Sequence, residues 1–267
     1  MTRPKWNNSI AITGAGSGFG AALARHYASR GWSVAVTDID EQRTLKTLSE
    51  INSFDGDSFA MRLDITSAEQ WQQFHDRVLQ QWGGLSILVN NAGVAAAGNI
   101  EETSMKDWAW VLEIDLMGVV RGCHQFAAVM KKQQAGHIVN ISSFAGLAGL
   151  PFISAYGVAK AGVVALSEAL RAEMHPYGVG VTVACPAFVK TGLLDSFRST
   201  HPDTRATVTR WMETSGVTAE QIAEEIASAV TRNKFLLLTH GPTRSAWRFK
   251  RWFPEMYYRM LAKRTSR

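Results

Sequence analysis

The chain is 267 residues long, 46% hydrophobic and 19% charged, with a net charge of +5. That composition is far from the low-hydrophobicity, high-charge balance of disordered segments, and the length suits a single α/β sheet covered by helices. No apolar run reaches membrane-spanning length, Met1 to Asn8 lacks the apolar stretch of a secretory signal, and Cys123 and Cys185 lack zinc-knuckle or disulfide-scaffold spacing, which fits a reducing cytoplasm.

Ser9 to Thr13 reads as a short buried strand, followed at once by Gly14-Ala15-Gly16-Ser17-Gly18-Phe19-Gly20 and by helix-forming residues from Ala21 to Ser29. Glycines in such a turn let the backbone approach a pyrophosphate, and the free amides of the helix start favour its negative charge. Alone, the turn also fits a purely structural role; its place between strand and helix favours the phosphate reading. Ser33 to Thr37 forms a second strand ending in Asp38, about 20 residues past the glycines, where a carboxylate can accept both ribose hydroxyls of an adenosine and would repel a 2′-phosphate. No Lys or Arg lies in the glycine turn or directly after Asp38, so NAD is favoured over NADP, with Arg43 the nearest dissenting cation.

Helix Glu41 to Ser53, strand Ser58 to Arg62, helix Ser67 to Trp82 and strand Leu85 to Val89 continue the alternation, which predicts a parallel sheet. Ligands bind beyond the carboxyl ends of such strands, where Asp64-Ile65 and Asn90-Asn91-Ala92-Gly93 fall. Taken singly, Asp64 also fits a helix cap and Asn90 a turn. A helical region runs from Ser104 to about Gln133 with Asp115 in its middle, and strand His137 to Ile141 delivers Ser142 and Ser143. Ser143 suits an oxyanion hydrogen-bond donor and equally a turn cap. No histidine is spaced for a Ser-His-Asp triad, so nucleophilic hydrolysis is rejected, and the seven histidines form no metal pair, so no metal is expected.

Ser154-Ala155-Tyr156-Gly157-Val158-Ala159-Lys160 holds the chemistry. On a helix Tyr156 and Lys160 share a face, so an ammonium lies beside a phenol and eases its ionisation. Lowering a tyrosine from about 10 to near 7 takes about 4 kcal/mol, and a charge about 6 Å away at an effective dielectric near 20 supplies roughly 3. By itself the spacing also fits an ordinary packed tyrosine.

Thr13-Gly14-x-x-x-Gly18-x-Gly20, Asp64, Asn90-Asn91-Ala92-Gly93, Ser143 and Tyr156-x-x-x-Lys160 together resemble the classical short-chain dehydrogenase/reductase family, over about Ser9 to Thr239. The resemblance implies a single doubly wound (Rossmann-type) α/β domain, a mostly parallel sheet of about seven strands with helices on both faces, and a homodimer or homotetramer. It implies Ser143, Tyr156 and Lys160 as catalytic groups. The cofactor-binding residues would be Gly14, Ser17, Gly18, Phe19, Gly20, Asp38, Asp64, Ile65, Asn90, Ala92, Gly93, Pro186, Val189 and Thr191, with Tyr156 and Lys160 shared. Two positions depart from the family. Asp115 stands where an asparagine usually completes the catalytic set, and its carboxylate would oppose lowering of the Tyr156 pKa. Ala187 replaces the usual glycine after Pro186.

The implied reaction is reversible hydride transfer between NAD(H) and a hydrophobic secondary alcohol or its ketone. A 3-oxoacyl-thioester reductase and an NAD(H)-binding sensor or scaffold are the alternatives. Leu193, Leu194, Phe197, Trp211 and Met212, with Phe144, Leu147 and Phe152, would line an apolar substrate pocket, several of them serving equally as core. Residues 1–243 form the domain and 244–267 a basic amphipathic extension. That extension holds eight Lys/Arg against one Glu, leaving 20 basic against 22 acidic residues elsewhere. Phe249, Trp252, Phe253, Met256, Tyr257, Met260 and Leu261 recur at helical spacing, with Pro254 as a kink or a new start. Docking onto the body or a neighbouring subunit is favoured over an anionic membrane surface, and nucleic-acid binding is not expected.

Overall fold

Short, mostly apolar runs pair edge to edge and are sealed by amphipathic helices on both faces. The structure, a computed structural model, describes residues 4, 6–187, 189, 192–200, 202–214 and 216–265, with backbone only for 202–204, 207, 211, 264 and 265. In chain order the elements are β1 (Ser9–Thr13), α1 (Gly18–Ala28), β2 (Ser33–Asp38), α2 (Glu41–Ile51), β3 (Phe59–Arg62), α3 (Ala68–Trp82), β4 (Ile87–Asn90), β5 (Ala96–Ala97), α4 (Met105–Leu112) and α5 (Gly118–Gln133). There follow β6 (Gly136–Ile141), α6 (Ala145–Ala148), α7 (Ser154–Met174), β7 (Val179–Ala184), β8 (Arg198–Ser199), α8 (Pro202–Thr214), α9 (Ala219–Thr231), β9 (Leu236–Leu237), α10 (Gly241–Trp252) and α11 (Pro254–Thr265).

The main sheet has seven strands in the order β3-β2-β1-β4-β6-β7-β9, and every pair in it is parallel. The order reverses between β1 and β4, which opens a crevice at their carboxyl ends. Register brings Thr13 beside Thr37, and Asn90 beside Asn140. The loops after β1, β2, β4, β6 and β7 therefore emerge along one edge. One face is covered by α3, α5 and α7 through Trp71, Phe74, Phe126, Met130 and Met174. The other is covered by α1, α2 and α9 through Leu23, Tyr27, Ile51, Ile222 and Ile226.

Local chemistry sets the helix starts. Asp40 caps α2 by accepting from Gln42 N and Arg43 N, Ser67 caps α3, and Thr218 with Gln221 forms a capping box on α9. The expected helical region from Ser104 to about Gln133 is present, with one irregular turn inside it. Between α4 and α5, residues Glu113–Met117 form one π turn, in which the Gly118 N–H donates to the Glu113 carbonyl five residues back. The extra residue turns Asp115 inward, where it is fully buried.

Part of the basic extension packs on the body. Trp247 of α10 packs against the core cluster, Lys250 Nζ donates to the Leu147 carbonyl of α6 (2.6 Å), and Tyr257 of α11 is buried. Pro254 opens α11. Trp252, Phe253, Met256 and Met260 stay exposed. Among the described residues no helix is long and apolar enough to cross a membrane.

Candidate active site

A cavity of about 560 Å³ runs along the carboxyl edge of the sheet, from Asp38, Asp40 and Asp64 at one end to Ser143, Tyr156 and Lys160 at the other. Its middle is the glycine turn. Gly14 and Gly18 adopt φ of 63° and 51°, the left-handed region that glycine reaches without strain. Ser17 precedes α1 without capping it by its side chain, and the first turn holds no acidic residue, so the helix start faces the cavity open to an anion.

At the far end the Gly16 N–H donates to Asp38 Oδ2 (3.1 Å) and the Asp40 N–H to Asp38 Oδ1 (3.1 Å). These bonds fix the carboxylate of Asp38 at the mouth of the cavity. Arg43 lies beside it, ion-paired with Asp40 (3.4 Å) and Asp195 (3.2 Å). Asp64 accepts from Thr66 N and Oγ1 (2.9 and 2.7 Å) and lines the cavity with Ile65. Ser67 caps α3 instead, which removes that alternative for Asp64.

The loop after β4 corrects one expectation. Asn90 does not line the cavity: it is buried inside the sheet, where its Nδ2 donates to Asn140 Oδ1 (2.8 Å), and Asn140 Nδ2 donates to Ser167 (3.0 Å). Asn91, one residue on, ties the loop to the glycine turn. Its side chain donates to the carbonyls of Thr13 (2.8 Å) and Gly14 (3.1 Å), and Thr13 Oγ1 accepts from Asn91 N and Ala92 N. Successive side chains leave opposite faces of a strand, so Asn90 turns to the face under α5, beside Cys123 and Asn140, while Asn91 turns toward the glycine turn. Ala92 and Gly93 line the cavity as expected. A Cβ on Gly93 would lie 3.2 Å from Asp115 Oδ1 and 3.3 Å from Lys160 Nζ, so glycine leaves room for that pair.

Lys160, on the first turns of α7, is buried; its Nζ donates to the Ile141 carbonyl (3.2 Å), pairs with Asp115 Oδ2 (3.2 Å) and lies 5.7 Å from the Tyr156 ring centroid. Asp115 Oδ1 accepts from the Val94 N–H (2.7 Å). Burial holds the Asp115 carboxyl above the ordinary carboxylate range against the pull of Lys160 and the Val94 amide. Burial also weighs against the Lys160 ammonium, but Asp115 and Tyr156 outweigh it and raise its pKa. For Tyr156, burial is the largest influence and raises the phenol; Lys160 lowers it, Asp115 raises it and a hydrogen bond with Ser143 lowers it, leaving it above 10. Burial of the phenol, which the sequence estimate for lysine alone did not count, outweighs the ammonium, and Asp115 opposes the lowering as its place in the sequence implied.

Ser143 follows β6, with its Oγ accepting from the Ala145 N–H (3.1 Å), and Ser142 Oγ donates to the Lys160 carbonyl (2.7 Å), fastening α7 to the strand end. Pro186 and Val189 line the cavity, as does Ala187. Thr191 lies outside the described residues. Of the expected apolar wall, Leu193 and Met212 line the cavity, whereas Phe144, Leu147, Phe152, Leu194 and Phe197 do not; the Trp211 side chain lies outside the described residues. Leu147 packs against the core beside Trp247, and Phe152 is 47% exposed at a φ of 66°. Val94, Trp110 and Ile114 line the cavity in their place. The signal for Trp110 was its position five residues before Asp115, overlooked because the intervening π turn is invisible to helical spacing.

The glycine turn, the buried Lys160 and the Ser143–Tyr156 pair on this sheet order accord with one family: the chain belongs to the short chain dehydrogenase family, whose model matches residues 8–202. It is 34% identical over 234 residues to the oxidoreductase EphD of Mycobacterium tuberculosis, covering 84% of this chain and 40% of that protein. The chain thus spans well under half the length of that relative. It is 38% identical over 177 residues to an oxidoreductase of Thermotoga maritima, covering 66% of this chain and 70% of that one. A short chain dehydrogenase/reductase from Burkholderia phymatum, solved in complex with NAD, superposes with a TM-score of 0.88 at 33% identity over 93% of this chain and 94% of its own.

Proposed function

We propose that the protein interconverts a hydrophobic secondary alcohol and its ketone with NAD as cofactor. The observation that carries this reading is one continuous cavity with Asp38 at one end and Ser143, Tyr156 and Lys160 at the other. Gly14, Ser17, Gly18 and Phe19 would hold the pyrophosphate at the start of α1, with Asp38 on the adenosine ribose and Asp64 and Ile65 at the adenine end. Ala92 and Gly93 would shape the wall and Pro186 and Val189 would face the nicotinamide; Gly20 does not line the cavity but lets α1 approach the Gly14 carbonyl, where an added Cβ would come within 2.3 Å. When bound, that cofactor supplies or accepts the hydride. Tyr156 takes the alcohol proton in oxidation and returns it to the ketone oxygen in reduction. Ser143 donates to the same oxygen, and Lys160 holds positive charge beside the phenol. Asp115 anchors the lysine and the Val94 loop, with a negative charge that an asparagine would not bring.

Val94, Trp110, Ile114, Leu193 and Met212 give the cavity an apolar wall that favours a bulky hydrophobic substrate over a sugar. The test is NADH formation across a panel of apolar secondary alcohols, steroids and long-chain hydroxy compounds, with NADP in parallel. Turnover with NAD is expected. A preference for NADPH with acyl-thioester substrates would replace the reading by a 3-oxoacyl-thioester reductase, and tight NADH binding without turnover would replace it by a sensor.

The exposed ridge of α10 and α11 supports a second, peripheral role. Trp252 and Phe253 are 75% and 54% exposed beside the exposed Arg248, Arg251, Arg259 and Lys263. An apolar ridge flanked by cations suits an anionic bilayer surface. Co-sedimentation with vesicles rich in phosphatidylserine is expected for the full chain and lost in Trp252→Ser/Phe253→Ser. Equal binding by both removes the membrane contact; a fall in solution mass from a homodimer or homotetramer to monomer in the variant would make the ridge a subunit interface instead.

A further inference from the structure

The catalytic end of the cavity holds a buried carboxylate as well as a buried ammonium. Lys160 lines the cavity, whereas Asp115 stands behind Gly93, where a Cβ would lie 3.2 Å from Asp115 Oδ1 and 3.3 Å from Lys160 Nζ. Asp115 has no exposed surface and is fixed from two sides, by the Val94 N–H at 2.7 Å and by Lys160 Nζ at 3.2 Å. The other titratable groups around this pair are neutral at pH 7: burial raises the Tyr156 phenol and pushes the Cys185 thiol up to about 12. On α4 and the π turn, Asp107 pairs with Arg198 and Glu113 with Arg121. Among the described residues that line the cavity, the remaining charges, Asp38, Asp40, Arg43, Asp64 and Asp195, belong to its adenosine end. Lys160 and Asp115 therefore cancel, and the catalytic end is close to electrically neutral on its own.

Resting on the NAD reading above, we propose that Asp115 sets the preference of the site between the two redox forms of the cofactor: by cancelling the Lys160 ammonium it lets the positively charged, oxidised nicotinamide bind as tightly as the neutral, reduced one. An uncompensated lysine on the cavity wall would repel the oxidised ring and favour NADH. A unit charge about 10 Å away at an effective dielectric near 20 changes an affinity by roughly tenfold. NAD and NADH share the pyrophosphate and both riboses, so contacts along the rest of the cavity drop out of the ratio of their affinities. Stabilising the oxidised form also tilts the bound reaction toward ketone reduction. In that direction the hydride of NADH goes to the ketone carbon and the Tyr156 proton to its oxygen, giving the alcohol and NAD, and a solvent proton restores the phenol. Asp115 does not line the cavity and acts through its charge on Lys160, as a positioning residue.

The test is equilibrium binding of NAD and of NADH, by titration calorimetry, to the full chain and to Asp115→Asn, each also in the Tyr156→Phe background, where no phenol can ionise. The wild type is expected to bind the two forms with similar affinity. Asp115→Asn, whose amide oxygen can still accept from the Val94 N–H, is expected to shift the ratio toward NADH by about tenfold in both backgrounds. A second measurement needs no variant: salt near 1 M, where screening acts over about 3 Å, is expected to leave the wild-type ratio unchanged, because the pair is buried. Equal weakening of both forms in Asp115→Asn would make the residue a structural support and overturn the proposal, as would an unchanged ratio. A wild-type ratio that swings toward NADH in high salt would trace the preference to the exposed acids of the adenosine end and overturn it too. Each of these leaves the NAD reading intact, whereas a wild type that binds neither form overturns that reading and the proposal with it.

Discussion

Tyr156→Phe is expected to lower turnover by about 10²- to 10⁴-fold while NADH binding is retained. The change removes the one hydroxyl that lies beside both Lys160 and Ser143 and leaves the ring in its apolar cluster with Val94 and Trp110. The wild type carries a pH signature that the variant should lose. Because the Tyr156 phenol is pushed above its ordinary value by burial, with Asp115 adding to the rise, it is protonated at neutral pH before cofactor binds. Alcohol oxidation needs the deprotonated form, so kcat/KM in that direction should climb as pH rises above neutrality, whereas ketone reduction needs the phenol and should stay level there. Undiminished turnover in Tyr156→Phe, or an oxidation rate that falls with rising pH, would sink the assignment.

Lys160→Met should unfold the protein more than it merely inactivates it. Asp115 is fully buried, and Lys160 Nζ is the cation that faces it at 3.2 Å. Removing one member of a buried ion pair typically costs about 3–5 kcal/mol, which for a chain of this size corresponds to a melting temperature lower by roughly 6–20 °C. The decisive comparison is Lys160→Met/Asp115→Asn, in which no unpaired charge remains and an amide oxygen still accepts from Val94 N–H. Calorimetry should find the double variant more stable than Lys160→Met alone and still without turnover. A double variant as unstable as the single would mean that lysine stabilises α7 by packing its stem rather than by pairing its charge.

Much of this was legible because it was written locally. β1 was readable to the residue, since Ser9 to Thr13 is an unbroken buried run that ends at a glycine turn, and the Tyr156–Lys160 pair follows from helical spacing alone. Features that depend on what lies across the fold were not. Helical periodicity cannot tell the π turn at Glu113–Met117 from another α turn, so the helical region was legible and the π turn inside it was not. β7 and β9 were not placed individually, since Val179 to Ala184 lacks alternation and Leu236–Leu237 is two residues long. Asn90 and Asn91 are adjacent and chemically alike; which one meets the cavity depends on strand parity at an end that sequence places only to within a residue or two. The raised phenol of Tyr156 was half legible: Asp115 was readable as an opposing charge, whereas the burial that dominates the rise cannot be weighed from a spacing of four.

The π turn also separates two tasks that one helix would otherwise have to share. One inserted residue rotates everything after it by about 100° about the helix axis. Trp110 before the turn faces the cavity, Ile114 within it meets both cavity and core, and Phe126 and Met130 beyond it face the core. Substitutions at Trp110 can therefore reshape the cavity wall without touching the core cluster around Phe126 and Met130. Asp115, at the boundary, is tied to both sides and is the position least free to drift.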